Sequence, residues 1–279
     1  MNVNAYYNGE FKNKNEISIK LTDRAVFFGD GIYDAAIGRN GKVFMLDEHI
    51  ERFLSNAQAI KIPFTMTRGE LKRTILKTVM LSREASYFVY FQLSRFSEER
   101  IHAAPESEKF NLLITVSPFS LCDKNKHLSL ITAEDVRHTM CNVKTLNLLP
   151  AVLSSCSAAA ADADEAVLVR DGTVTECSHS NIHIIKKGKI ITHPLDRYIL
   201  PGISRMHMLS VCDKLAVPYE ERNYSTDELF DADEVLVTSS SKLAMPVKRI
   251  DGTVYEFTES SLGRRICKKM RDDFLLATL

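Results

Sequence analysis

Hydrophobic and polar positions in the first third of the chain alternate in a way that predicts a β-hairpin followed by an amphipathic helix. Asn40-Gly41 lies between two short apolar runs, 35–37 and 43–45, and this dipeptide favours a two-residue hairpin turn. Asp47 is the expected cap of the helix that follows. The apolar positions of this helix recur with helical spacing, at Ile50, Phe53, Leu54, Ala57 and Ile60.

A second helix and two strands are predicted further along. Thr67 and Glu70 have the spacing of a capping box, and the apolar residues after them keep to one helical face. The extended runs 87–93 and 110–116 then predict two strands. The polar, broken segment 118–125 interrupts the pattern, and we interpret it as a linker.

Beyond the linker, the pattern again mixes helices and hairpins. Residues 148–163 predict a helix rich in Ala and Ser, and small side chains at this density permit close approach of a neighbouring element. Pro201-Gly202 is expected to open another helix. Three turn dipeptides predict further hairpins, at Asp171-Gly172, Lys187-Gly188 and Asp251-Gly252. Strands that run in blocks with helices between the blocks predict an α/β protein built of α+β layers rather than a regular βαβ series.

Length and charge narrow the kind of protein and partner. The 279 residues suffice for two domains, and we expect an N-terminal α/β domain at 1–119, a linker at 120–123 and a C-terminal domain at 124–279. The 36 basic and 36 acidic side chains cancel, so no net charge recruits nucleic acid or an anionic membrane. A small-molecule or protein partner is therefore expected.

Cysteine usage and the N-terminal sequence indicate a cytoplasmic protein. The six cysteines are scattered without the spacing of a zinc or redox motif, which predicts free thiols and no metal site. Residues 1–7 lack the basic start and apolar stretch of a signal peptide. No apolar run approaches the roughly 20 residues that a membrane-spanning helix needs.

Arg100 and His102 are the first candidates for chemistry. They lie two residues apart near the end of a strand-like run, and in an extended segment such residues point to the same face. A guanidinium and an imidazole on one face suit the binding of a small carboxylate. The pair by itself is weak evidence, because Arg and His are ordinary surface residues, and a solvated loop is the preferred interpretation of the pair alone.

Lys144 is a single cation in an apolar segment that precedes the small-residue helix. Burying an ammonium is costly unless it is paired or its pKa falls so that it becomes neutral. A neutral lysine is what Schiff-base chemistry requires. The local sequence also fits a lysine whose amine reaches the surface.

Glu176 lies one hairpin after Lys144 and is followed by short polar side chains. A carboxylate beside a pyridinium nitrogen keeps that nitrogen protonated, which a pyridoxal ring needs in order to act as an electron sink. An exposed hairpin carboxylate is the alternative interpretation.

Three further features are suited to holding a phosphate. A helix that begins after Pro201-Gly202 offers free N–H groups and a favourable dipole at Ile203 and Ser204. The serine run 239–241 follows a predicted strand and offers hydroxyl groups. Arg52 on the first amphipathic helix offers a cation. Each feature is weak by itself, since a serine run is often a loop and an arginine is often at the surface.

These residues lie in segments that together resemble the fold-type IV pyridoxal-phosphate aminotransferases. That family includes the branched-chain and D-amino-acid aminotransferases and aminodeoxychorismate lyase. The resemblance extends from end to end of the chain, in the order and spacing of the segments 23–33, 48–52, 144–150, 172–181, 200–205 and 237–240.

The resemblance implies a two-domain fold with pyridoxal 5′-phosphate in the cleft between the domains. It implies that Lys144 is the catalytic residue, forming the internal aldimine and moving the proton between the amino acid's Cα and the cofactor's C4′. Glu176 is implied as the partner of the pyridine nitrogen. Residues implied to hold the phosphate are Arg52, Ile203, Ser204 and Ser240. Arg137 matches a family arginine near the cofactor.

Within the family, Tyr33, Arg100 and His102 match the D-amino-acid aminotransferases. There, a Tyr after the Gly-Asp-Gly turn and an Arg-x-His pair from the partner subunit bind the substrate α-carboxylate. The resemblance therefore implies a D-amino-acid transaminase that acts on D-alanine-like amino acids and a 2-oxo acid such as 2-oxoglutarate, and it implies a homodimer. The alternatives are aminodeoxychorismate lyase, a branched-chain L-amino-acid aminotransferase, or a non-catalytic relative that binds the cofactor as a sensor.

Three residues depart from the family pattern. Cys177 stands where a glycine usually follows the cofactor glutamate, so the backbone there must accept a side chain. His179 replaces a small residue in the same loop, as a local hydrogen-bond partner, a modifier of substrate choice or a tolerated change. Asp34 stands where related enzymes often carry Glu, which shortens the reach of a carboxylate near the site.

Overall fold

The computed structural model describes residues 3–96, 99–104 and 107–279. The chain divides into two compact units by its internal contacts. Unit 1 comprises Met1–Ser120, Val143–Asn147 and Leu276–Leu279, and unit 2 comprises Leu121–Asn142 and Leu148–Leu275. The short segment with Lys144 is therefore grouped with the N-terminal unit, although the sequence suggested a single boundary near residue 120.

Unit 1 is an antiparallel sheet with two long helices. Its strands have the order β2-β1-β6-β5-β3-β4 among the described residues. The strands are β1 (Ala5–Tyr7), β2 (Glu10–Lys12), β3 (Gly31–Arg39), β4 (Lys42–Val43), β5 (Ser86–Arg95) and β6 (Phe110–Pro118). The helices are α1 (Arg24–Phe28), α2 (Leu46–Ala59) and α3 (Arg68–Ser82), with a 3-10 turn at Lys14–Glu16.

The core of unit 1 lies between the sheet and the apolar faces of α2 and α3. Phe53 of α2 and Phe91 of β5 are both fully buried, and their ring centroids are 4.9 Å apart. Burying such a side chain contributes about 1.5–3 kcal/mol to the free energy of unfolding. Val143 belongs to the same core, so the segment that carries Lys144 begins with an apolar anchor.

Unit 2 contains a larger mixed sheet. The strand order is β12-β11-β10-β13-β14-β7-β8-β9, and β15 pairs with β14. The strands are β7 (Leu128–Glu134), β8 (Glu165–Arg170), β9 (Thr173–Cys177), β10 (Asn181–Lys186), β11 (Lys189–Thr192), β12 (Tyr219–Glu221), β13 (Glu234–Ser239), β14 (Leu243–Ile250) and β15 (Thr253–Val254). The helices are α4 (Leu149–Ala160), α5 (Ile203–Lys214), α6 (Thr226–Phe230) and α7 (Leu262–Ala277).

Strand β13 is buried on both of its faces. Val235 and Val237 pack in one apolar cluster, whereas Leu236 packs in another together with residues of α5 and α7. Since successive side chains of a strand point to opposite faces, the two clusters lie on the two sides of the sheet. Packing on both faces therefore fixes the position of the strand that ends at Ser239 and is followed by Ser240.

Most of the elements predicted from the sequence are confirmed. Each predicted turn dipeptide closes a hairpin between β3 and β4, β8 and β9, β10 and β11, or β14 and β15. Thr67 and Glu70 form the capping box of α3. The small-residue helix is present but ends at Ala160 rather than at residue 163. The architecture of α+β layers is therefore confirmed.

The prediction that Asp47 caps α2 is wrong. The helix begins at Leu46, and its N-cap is Met45, which has φ +49° and forms no side-chain cap. The hairpin delivers the chain directly into the first helical turn, so Asp47 is already helical. Its carboxylate instead accepts a hydrogen bond from Lys72 Nζ at 2.7 Å, next to the positive end of the helix dipole.

In the described residues, every helix is too short or too polar to span a bilayer.

Candidate active site

Lys144 lies against the first residues of β3. Its carbonyl accepts a hydrogen bond from the Tyr33 backbone at 3.0 Å, and the next residue, Thr145, forms an antiparallel bridge with Ile32. The Lys144 side chain is half-buried, and its Nζ is 4.3 Å from the centroid of the Tyr33 ring. Within the described residues, Lys144 has no carboxylate at ion-pair distance. The structure therefore brings together Tyr33 and Lys144, two of the predicted site residues.

Two glycines let the Lys144 segment approach this closely. A Cβ on Gly29 would lie 2.7 Å from Asn147 Oδ1, and Gly29 also has φ +61°, which disfavours a side chain. A Cβ on Gly31 would lie 2.6 Å from Leu146 Cδ1. The backbone of the Gly-Asp-Gly turn, 29–31, is therefore packed directly against the segment that carries Lys144.

Arg52 is oriented by two side chains that the sequence analysis did not connect with it. Its Nε and Nη2 each donate to Asp34 at 2.8 Å, and His49 Nδ1 lies 2.7 Å from the same carboxylate. All three residues are buried. Burial by itself would raise the pKa of Asp34, but Arg52 and His49 more than offset it and hold this pKa well below its usual range. The shorter Asp34 therefore still reaches both partners.

Arg100 and His102 lie in a loop rather than in a strand, because β5 ends at Arg95. The Arg100 guanidinium is 5.3 Å from the Phe28 ring centroid, and the His102 ring is 5.2 Å from the same ring. Both side chains are exposed. The two side chains therefore lie near the same aromatic ring. The loop brings both of them to Phe28, whereas the sequence analysis expected the alternation of a strand to place them on one face.

Arg24 holds this loop in place and was missed as a functional residue by the sequence analysis. It donates to the carbonyl oxygens of Ile101 at 2.5 Å and of His102 at 3.0 Å, and its Nε donates to Asp30 at 2.7 Å. Arg24 is only 4% exposed. An arginine so near an apolar Val-Phe-Phe run was the only signal for this role in the sequence.

Glu176 lies at the end of β9 with donors on both of its oxygens. Oε1 accepts a hydrogen bond from Arg137 Nη1, and Oε2 accepts from Asn181 Nδ2 at 3.0 Å and from the Leu200 N–H at 3.1 Å. The residue is 6% exposed. The interpretation of Glu176 as an exposed hairpin carboxylate is therefore wrong, because the strand register turns it into a polar, enclosed position.

Arg137 is shared between Glu176 and a second buried acid, Asp135. The Asp135 carboxylate accepts from Arg137 Nε at 2.9 Å and Nη2 at 3.0 Å, and it lies 3.2 Å from Arg170. Burial by itself would raise the pKa of Asp135, but Arg137 and Arg170 outweigh burial and lower this pKa to about 2. Arg137 was recognised in the sequence by its match to a family arginine, whereas no motif in the sequence marks Asp135. Two partly exposed arginines and two buried carboxylates thus balance their charges in one cluster.

The predicted phosphate segments of unit 2 have the expected local form. Helix α5 begins at Ile203, and its N-cap is Gly202, which brings no side chain to cap the first N–H groups. A Cβ on Gly202 would lie 2.0 Å from Asn181 Oδ1. The absence of that Cβ keeps the start of α5 next to the residue that binds Glu176. Ser240 lies in the turn between β13 and β14 and is half-buried.

The two departures after Glu176 are both accommodated. Cys177 is 1% exposed, and its N–H donates to the Ser180 carbonyl at 2.7 Å. His179 is a local hydrogen-bond partner: its N–H donates to Glu165 at 2.7 Å, and Lys242 Nζ lies 3.0 Å from its Nε2. This network anchors the loop after Glu176 to the turn that carries Ser240.

The chain belongs to the class IV aminotransferase family. The family model described as amino-transferase class IV matches residues 31–250. The family resemblance read from the sequence is thereby confirmed, and so is the fold class.

Individual relatives agree with this assignment. The chain is 36% identical over 275 residues to the D-alanine aminotransferase of Bacillus licheniformis, covering 98% of this chain and 97% of that protein. The branched-chain aminotransferase of Thermoproteus uzoniensis, solved with norvaline, has a TM-score of 0.92 at 22% identity, covering 99% and 95% of the two chains. The branched-chain amino acid aminotransferase of T.th., complexed with N-(5′-phosphopyridoxyl)-L-glutamate, has a TM-score of 0.91 at 20% identity, covering 99% and 95%. At these low identities the two structures bear on the fold alone.

Proposed function

We propose that this protein is a pyridoxal-phosphate-dependent D-amino-acid aminotransferase. It transfers the amino group of a D-alanine-like amino acid to a 2-oxo acid such as 2-oxoglutarate. The 36% identity with D-alanine aminotransferase over nearly the whole chain supports the substrate class. The observation that carries the chemistry is the Lys144 amine, half-buried on the Tyr33 ring with no carboxylate to pair it among the described residues.

The residues of the site fit pyridoxal 5′-phosphate. Glu176 is a buried carboxylate on a fixed set of donors, and it would hold the pyridine nitrogen. When bound, the cofactor supplies an electron sink for charge that develops at the amino acid's Cα. The Lys144 Nζ would accept the proton from the amino acid's Cα and deliver it to the cofactor's C4′.

The phosphate would be held by groups on three elements. Arg52 supplies a guanidinium whose direction Asp34 and His49 fix. The N–H groups of Ile203 and Ser204 lie at the positive end of α5. The Ser240 hydroxyl adds a short donor. A fixed set of donors costs little reorganisation when an anion binds.

The substrate α-carboxylate would be bound by Tyr33, Arg100 and His102. A guanidinium and an imidazole gathered at Phe28 form a cationic patch suited to a small carboxylate. In the homodimer that the family resemblance implies, the loop with Arg100 and His102 would serve the partner's site, so each site would use residues of two chains. Binding of the α-carboxylate by these three residues would select D-amino acids, because it would fix the carboxylate on a defined side of the cofactor.

The first experiment compares D-alanine with L-leucine, each with 2-oxoglutarate, after reconstitution with pyridoxal phosphate. We expect oxo-acid product from D-alanine and none from L-leucine. Turnover with L-leucine alone would favour the branched-chain alternative. Absorbance of the lysine-linked cofactor without either reaction would favour the lyase, and a colourless protein that takes up no cofactor would favour a sensor.

We also propose a homodimer. Helix α4 leaves a row of apolar side chains exposed: Leu149 is 68%, Val152 51% and Leu153 57% exposed. A contiguous apolar face on a chain without net charge suits self-association. Light scattering is expected to give twice the chain mass. Leu149→Glu with Leu153→Glu is expected to give the monomer, and a wild-type monomer would contradict the proposal.

We propose in addition that the protein works in the cytoplasm. All six cysteines are free, and burial raises the pKa of Cys141 and Cys212 to about 11. Thiols of this kind are typical of a reducing compartment. Fractionation of the source cells, followed by detection with an antibody, tests this location.

A further inference from the structure

His183 is a fully buried imidazole that joins two hydroxyl groups in unit 2. Its Nδ1 lies 2.8 Å from Thr192 Oγ1, and its Nε2 lies 2.9 Å from Thr238 Oγ1. Its exposed fraction is 0%. Buried polar groups are costly unless they are satisfied, and here both ring nitrogens have a partner. The site residues described above do not include His183.

The strand register explains this arrangement. His183 on β10 is directly opposite Thr192 on β11 and directly opposite Leu236 on β13. Thr238 is two residues beyond Leu236, so it lies on the same face, diagonal to His183. Ser240 follows Thr238 by two residues.

The contacts continue from Thr192 to the start of α5. Arg205 Nε donates to Thr192 Oγ1 at 3.2 Å, and Arg205 Nη2 donates to Glu221 at 2.7 Å. Arg205 is 3% exposed and immediately follows Ser204 in the first turn of the helix. One buried polar chain therefore connects the first turn of α5 to the end of β13.

The directions of the hydrogen bonds follow from the donors. Arg205 has only N–H groups to give, so Thr192 accepts from it and has its own hydroxyl hydrogen to donate to His183 Nδ1. The imidazole then carries its hydrogen on Nε2 and donates it to Thr238. Burial and the nearby Arg205 lower the pKa of His183 to about 3, so the ring stays neutral and the chain keeps this direction at neutral pH.

We propose that His183 is a positioning residue that sets the spacing between Ser204 and Ser240, and thereby the affinity of the site for the cofactor's phosphate. This inference rests on the proposed function, because it takes these two segments as the phosphate-binding ones. His183 acts through Thr192 and Thr238 and touches neither the cofactor nor the substrate.

The test separates phosphate binding from binding of the ring. Full-length protein freed of cofactor is titrated with pyridoxal 5′-phosphate and, separately, with pyridoxal, which lacks the phosphate. The measured quantity is the ratio of the two dissociation constants in the wild type and in His183→Phe, which keeps a ring but loses both hydrogen bonds. This ratio, the dissociation constant of pyridoxal divided by that of pyridoxal 5′-phosphate, is the phosphate's advantage in binding. We expect it to fall about five- to tenfold, the loss that corresponds to about one hydrogen bond.

Two amide variants give a sharper comparison. The amide of Gln reaches the position of Nε2, whereas the amide of Asn reaches the position of Nδ1. Thr192 keeps its contact with Arg205 in both variants, whereas Thr238 has His183 as its one side-chain partner in the described part of the chain. His183→Gln is therefore expected to retain most of the phosphate's advantage, and His183→Asn is expected to behave like His183→Phe.

His207→Gln is the matched control. His207 is another buried imidazole of unit 2, and its Nε2 faces Asp273 of α7 at 3.2 Å. This variant is expected to lower thermal stability without changing the ratio. An equal loss of affinity for both ligands in His183→Phe, or equal behaviour of the Gln and Asn variants, would overturn the inference. A wild-type protein that binds neither ligand would instead refute the proposed function itself.

Discussion

Asp34 and Arg52 form a buried ion pair with two hydrogen bonds of 2.8 Å each. His49 contacts the same carboxylate, so three buried polar groups depend on one another. The carboxylate comes from β3, next to Tyr33, and the guanidinium comes from α2. The pair therefore fixes a candidate phosphate ligand relative to the strand that supports Lys144.

Replacing Asp34 is expected to destabilise the protein. Asp34→Asn removes the carboxylate that pairs with the buried Arg52, so the free energy of unfolding should fall by about 3 kcal/mol. Asp47→Asn is the control, since the Asp47 side chain is 48% exposed and its pairing contributes about 0–1 kcal/mol. Urea denaturation without added cofactor measures both, and equal losses would contradict a special role for the buried pair.

The ion pair of Asp135 and Arg137 should make the stability of the protein depend on pH at acid pH. The pKa of Asp135 is lowered from 3.8 to about 2, so its contribution to stability is fully present above pH 3.8 and is lost as pH falls through 2. The contribution is about 2 kcal/mol. The stability difference between the wild type and Asp135→Asn should therefore shrink between pH 5 and pH 2. A difference that is independent of pH would show that the carboxylate is not held ionised.

Gly202 should not tolerate a methyl group. In Gly202→Ala the new Cβ would lie 2.0 Å from Asn181 Oδ1, so Asn181 must leave Glu176 or α5 must shift. We expect a loss of about 1–3 kcal/mol in unfolding free energy, together with weaker cofactor binding. Gly252→Ala is the control, because a Cβ there meets nothing within 4 Å. Equal stability of the two variants would contradict the close approach.

Lys144→Ala is expected to abolish turnover and the visible absorbance of the lysine-linked cofactor. The reason is that, in the proposed mechanism, the Lys144 amine both bonds to the cofactor and moves the proton. Lys124→Ala, at an exposed lysine, should retain both signals. Normal turnover in Lys144→Ala would refute the mechanism.

Arg100→Ala is expected to raise KM for D-alanine about 10- to 100-fold. In the proposed site, Arg100 forms a charge-assisted contact of about 1.5–3 kcal/mol with the α-carboxylate, and this substitution removes it. Arg100→Lys keeps the charge but not the planar fork, so its KM should lie between those of the wild type and Arg100→Ala. Arg83→Ala, at an exposed arginine of the same unit, should leave KM unchanged. An unchanged KM in Arg100→Ala would count against D-amino-acid specificity.

The amino-acid sequence by itself determined the local elements. Hairpins at Asn40-Gly41 and Asp251-Gly252, and the capping box at Thr67, depend on residues only a few positions apart, so turn and cap chemistry sufficed to predict them. The start of α2 was missed because the hairpin before it, rather than a capping side chain, delivers the chain into the helix. The family resemblance supplied Lys144 and Glu176 because their motifs are continuous in sequence.

Only the tertiary structure revealed the contacts that support these residues. Arg137 and Glu176 are separated by 39 residues in the chain, His183 and Thr238 by 55, and Arg24 and His102 by 78. Asp135 and His183 have no local signature, because their partners become neighbours only when strands pair in register. A buried polar group must find its partner wherever the fold places one, and that requirement acts through space rather than along the sequence.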